Sequence, residues 1–131
     1  VKSRDGFTVI ELLVVITIMG LAAAMVPALS GGLIERVRLS LGVQRAVVLL
    51  HTAETLAKEQ RAPVAIDQAR LASVAQANVQ IRNAANGDTV AALWFYSDGT
   101  ASPADITISL PPRWRRLTVD GLTGSIVSNG Q

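Results

Sequence analysis

The sequence predicts an α+β protein in which a long N-terminal helical stem, partly transmembrane and partly amphipathic, packs on a small antiparallel β-sheet domain. Three observations predict it. Residues 7–26, FTVIELLVVITIMGLAAAMV, carry a single charge, Glu11, in twenty residues. From Leu39 to Ala57, apolar residues recur at alternating spacings of four and three. Beyond Arg61, short β-prone runs alternate with turn-forming residues.

At about 1.5 Å per residue, twenty helical residues reach roughly 30 Å, the thickness of a bilayer's hydrocarbon core. Residues 7–26 are therefore expected to form a transmembrane helix behind a leader at residues 1–6. Lys2 and Arg4 precede the run, which by the positive-inside rule keeps the leader cytoplasmic and sends the remainder across. Arg36 and Arg38 lie beyond it and weaken that asymmetry. Glu11 costs on the order of 2.5–3.5 kcal/mol at a bilayer centre, less near the interface, and so requires a partner. No Lys or Arg occurs between Phe7 and Ile34. Within the segment, the partner can only be a backbone group or a newly made amine. Cleavage between Gly6 and Phe7 would create an amine at Phe7, four residues from Glu11 on the same helical face. The carboxylate could also reach the amine of a neighbouring subunit. An ordinary secretory signal shares the basic residues and small residues such as Ala22-Ala23-Ala24. Its apolar region, however, runs about 7–15 residues without a carboxylate.

The stretch Gly6-Phe7-Thr8-Val9-Ile10-Glu11-Leu12-Leu13 resembles the class III leader junction of type IV pilins and type II secretion pseudopilins. The resemblance implies that a prepilin peptidase cuts after Gly6, that Phe7 becomes N-methylated, and that Glu11 serves peptidase recognition and filament assembly.

Pro27 lacks an N–H and Gly31-Gly32 weaken a helix, so a kink or interruption is expected there. Residues 27–61 then form an amphipathic stem helix. Its apolar stripe is Leu39, Val43, Ala46, Leu50, Ala53 and Ala57, and Arg36, Ser40, Gln44, Arg45, Glu54, Lys58 and Glu59 lie mostly off it. Ala62-Pro63 ends the helix. Residues 62–131 read as a β-rich extracytoplasmic domain with strands at 64–66, 78–82, 90–96, 105–110, 116–119 and 125–128. Turns at Asn86-Gly87-Asp88, Ser97-Asp98-Gly99-Thr100, Pro111-Pro112, Asp120-Gly121 and Thr123-Gly124 separate them. Runs this short need the stem's apolar stripe to close on, as one antiparallel sheet or two. Residues 67–77 are ambiguous and read as a loop, with a helical turn left open.

Ala92-Leu93-Trp94-Phe95-Tyr96-Ser97-Asp98-Gly99-Thr100, then 106–110, then 117–126 with Leu122-Thr123-Gly124, resemble the C-terminal pattern of the GspH/FimT family. That family holds the H-type minor pseudopilins of type II secretion and related minor type IV pilins. The resemblance implies a structural subunit of a secretion pseudopilus. Its partners would be a prepilin peptidase, other major and minor pseudopilins, an inner-membrane secretion platform and the lipid bilayer. The subunit would be a single-pass inner-membrane protein with its C-terminal domain periplasmic.

The residues offer little chemistry. The net charge is +2, too near neutral to argue for a polyanionic partner, and there is no Cys. His51, the only histidine, has no nucleophile motif beside it and reads as solvated. Asp98, Asp105 and Asp120 could in principle gather around a hard cation, but two of them sit in ordinary Asp-Gly turns. No catalytic residue, metal or cofactor is expected. The cluster Pro112-Arg113-Trp114-Arg115-Arg116 is the one tempting feature, since Arg113, Arg115 and Arg116 could neutralise phosphates. Some minor pilins of the FimT kind bind DNA for uptake, which makes that the rival function. Strand alternation divides the cluster, with Arg113 and Arg115 on one face and Trp114 and Arg116 on the other. The alternative reading is a solvated, charged strand edge with Trp114 packed inward.

Overall fold

The computed structural model describes residues 7–129, with side chains for all of these except 26–31. The first element, α1 (Val9–Gln60), is 52 residues of α-helix. The interruption expected at Pro27 and Gly31-Gly32 does not occur, because the backbone stays helical through all three. A proline removes one helical hydrogen bond and crowds one carbonyl, a cost of about 3 kcal/mol that the turns on either side can carry. The chain divides into two compact units, Val1–Ile34 and Glu35–Gln131.

In the first unit every described side chain from Phe7 to Met25 is exposed, including Ile10, Leu13, Ile16 and Leu21. Among the described residues no helix is long and apolar enough to cross a membrane.

In the second unit the helical stripe becomes the core floor. Leu39, Ala46, Leu50, Ala53 and Ala57 are buried, and Val43 is half-buried against them. Two antiparallel sheets share this core. One pairs β1 (Val64–Asp67) with β3 (Ala92–Phe95), in the register Ile66 opposite Leu93. The other has the order β2-β4-β5-β6, from β2 (Asn78–Asn83), β4 (Ala104–Leu110), β5 (Arg113–Val119) and β6 (Ile126–Asn129). Alternation sends every second side chain inward. Ile81, Ile106 and Leu117 fall opposite one another across three strands, and all are fully buried.

Three local readings are corrected. Residues 68–75 form a helix, α2 (Gln68–Ala75), where a loop was expected. Asp67 caps it, its Oδ1 accepting the Arg70 N–H at 3.0 Å, and Gln76 closes it in the left-handed conformation. Leu71 and Ala75, one turn apart, supply its buried face. The helix lies so close to α1 that a Cβ added at Gly42 would collide with the Ala75 carbonyl oxygen. Strand β5 starts at Arg113, three residues earlier than expected, because pairing with β4 carries Arg113 to Leu110 and Trp114 to Ser109. Strand β3 is shorter than the run 90–96. The Val90 N–H turns instead to the Ile81 carbonyl, and the Tyr96 N–H closes the next turn onto Thr100.

Candidate functional site

Two places carry the residues singled out in the sequence. The first is the start of α1. Gly6 and the leader lie outside the described residues. Phe7 is exposed, and Thr8 and Glu11 hold one another in a reciprocal cap. The Glu11 N–H donates to Thr8 Oγ1 at 3.3 Å, while the Thr8 N–H and hydroxyl donate to Glu11 Oε2, each at 3.4 Å. The Leu12 N–H reaches the Thr8 carbonyl at 3.1 Å. This is a capping box, the Thr-x-x-Glu arrangement that satisfies two orphan amides at a helix start. Of the partners open to Glu11, the backbone is the one it meets in the isolated chain. These contacts are longer than the 2.7–3.2 Å or so of strong hydrogen bonds, so the exposed carboxylate is placed without being locked.

The second place is the β4–β5 turn. Leu117 and Val119 point into the core, so alternation along β5 sends Trp114 and Arg116 outward and leaves Arg113 and Arg115 on the inner side. Trp114 is therefore 47 % exposed, contrary to its expected inward packing, and the Arg116 guanidinium sits 5.8 Å from its ring centroid. Arg113 and Arg115 turn towards α1, where Arg36 and Ser40 meet them across a groove of about 670 Å³. The Arg113 Nε is enclosed there without a hydrogen-bond partner. Arg36 is the member that sequence reasoning missed. Helical spacing marks it only as lying off the core stripe.

The remaining candidates are occupied locally. Asp98 accepts the Thr100 hydroxyl and N–H at 2.7 and 2.9 Å, which holds its carboxyl below the usual range. Asp120 accepts the N–H groups of Thr123 and Leu122, with the same effect. Asp105 accepts the Thr118 hydroxyl. The three aspartates do not gather, and among the described residues no group of His, Cys, Asp or Glu could hold a metal ion. His51 is exposed, with its Nδ1 3.5 Å from Glu54. Glu54 is held below its ordinary value chiefly by Lys58, whose Nζ lies 2.6 Å away.

The turn residues behind the C-terminal resemblance form one piece of structure. Gly124 has φ +66°, and a Cβ there would lie 2.7 Å from the Gly99 carbonyl oxygen. Both the left-handed conformation and the close approach demand glycine. The Leu122-Thr123-Gly124 turn thus packs on the Asp98-Gly99 turn.

Residues 1–27 match the family model described as the prokaryotic N-terminal methylation motif. No curated protein and no solved structure matches the chain. The match covers the leader junction and apolar run and supports a type IV pilin-like protein. Proteins of that kind are structural subunits, not enzymes, and the motif implies prepilin peptidase processing and assembly with other pilins. It is consistent with a membrane-anchored pilin, and the long helix on small antiparallel sheets is the architecture expected of one.

Proposed function

We propose that this protein is a minor pseudopilin of the type II secretion pseudopilus, a structural subunit anchored in the bacterial inner membrane by residues 7–26. Its C-terminal domain is periplasmic. The observation that carries this reading is the Thr8–Glu11 cap at the head of an apolar stretch, residues 7–25, whose side chains are all exposed. After cleavage behind Gly6 and methylation at Phe7, the carboxylate of one subunit pairs with the terminal amine of another. The subunit thereby leaves the bilayer with its charge satisfied. A second apolar stripe supports the assembly role. Leu41 and Val48 are 45 % and 64 % exposed, on the side of α1 away from its buried residues. The packing of the Leu122-Thr123-Gly124 turn on the Asp98-Gly99 turn favours the H-type subunit, since those are the stretches on which that resemblance rests.

A second reading, a minor type IV pilin that binds DNA for uptake, draws on the cluster Arg113, Arg115 and Arg116, with Arg36 now beside it. Deleting the gene in its native cells separates the two. The pseudopilin reading predicts that secreted proteins accumulate in the periplasm while DNA uptake continues. Normal secretion with lost uptake overturns it.

A further inference from the structure

The groove between α1 and the β4–β5 turn has a chemistry that filament assembly does not use. Three guanidiniums, Arg36, Arg113 and Arg115, and the Ser40 hydroxyl line it, and no carboxylate does. Among the described residues the ion pairs are His51–Glu54 and Lys58–Glu54, so these arginines have no protein counter-charge there. The enclosed Arg113 Nε, with no acceptor, is left in the state that an incoming oxyanion would relieve. Guanidinium forks match the paired oxygens of a phosphate, which makes phosphate the fitting anion.

The remaining walls say which phosphate. Val37 and Trp114, both exposed, bring apolar surface beside the cations, as an amphiphile requires. Arg36 lies ten residues beyond Val26 in the chain, so its long side chain is within reach of the headgroups of a bilayer that holds residues 7–26. Half-exposed tryptophan is the side chain enriched at that interface. Arg116 stands over the Trp114 ring, so a base could not stack on that face as a single-stranded nucleic acid would need. We infer that the groove binds the phosphodiester headgroup of an anionic phospholipid. The inference rests on the membrane-anchored reading above.

The test uses the full chain, released from nanodiscs of equal phosphatidylglycerol and phosphatidylcholine and weighed by native mass spectrometry. Retained phosphatidylglycerol should exceed phosphatidylcholine several-fold. The excess should vanish in Arg36→Gln with Arg113→Gln and persist in the charge-matched control Arg45→Gln with Arg70→Gln, two exposed arginines outside the groove. Equal retention of the two lipids, or loss of the excess in the control, overturns the assignment. So does displacement of the lipid by millimolar inorganic phosphate, which marks a free-anion site, or by a single-stranded oligonucleotide, which marks a nucleic-acid site. Alkaline carbonate distinguishes the two levels of failure. A chain that it strips from native membranes defeats the anchored reading and the groove assignment together, whereas a resistant chain without the lipid excess defeats the groove assignment alone.

Discussion

Glu11→Gln should enter membranes at least as well as the native chain and be missing from assembled filaments. The Gln amide oxygen can still accept the Thr8 N–H, so the cap that Glu11 completes at 3.4 Å is preserved while the charge is removed. Insertion improves, because a carboxylate in an apolar span costs up to about 2.5–3.5 kcal/mol and an amide costs less. What the variant loses is attraction to the terminal amine of a neighbour. Glu11→Ala removes both cap and charge and should be equally deficient. The readout is the amount of each variant in sheared filaments relative to membranes. A Glu11→Gln chain that assembles normally while Glu11→Ala does not would assign the residue to the cap and refute the charge pairing.

The second large effect separates the two faces of the stem. Leu50→Ala should destabilise the folded unit by about 2–5 kcal/mol, since Leu50 is fully buried and its loss leaves a cavity among side chains of the helix and both sheets. Val48→Ala, two residues away and 64 % exposed, should change stability by no more than about 0.5 kcal/mol. On the proposed function it should instead weaken incorporation into filaments. Urea unfolding of both variants checks the first statement. Comparable losses of stability would mean that the helix faces are misassigned.

The parts legible in the sequence are those governed by local period or local chemistry. The stripe from Leu39 to Ala57 could be read because one-sided burial imposes the helical repeat on the residues themselves. The inward positions of β2 and β4 follow the two-residue alternation in the same way. The cap at Thr8 went unread, because a charge inside an apolar run is more conspicuous than the Thr-x-x-Glu spacing that carries it. Helix α2 was not legible. Its eight residues bury only Leu71 and Ala75, too few to set a period, and close packing against Gly42 helps to fix it. The start of β5 was hidden for a related reason. Arginines do not announce a strand, and their pairing comes from β4. The basic groove was legible only in its C-terminal half, since Arg36 is seventy-seven positions from Arg113 and only the fold brings them to one cleft.

The central claim is that this chain is processed at Gly6–Phe7 and enters a filament through the new terminus. The intact mass and N-terminal residue of the protein recovered from membranes of its native cells test it most directly. The account predicts a chain beginning at N-methylated Phe7. A chain still beginning at residue 1 in cells with an active prepilin peptidase, or one beginning beyond Ala24, would contradict it.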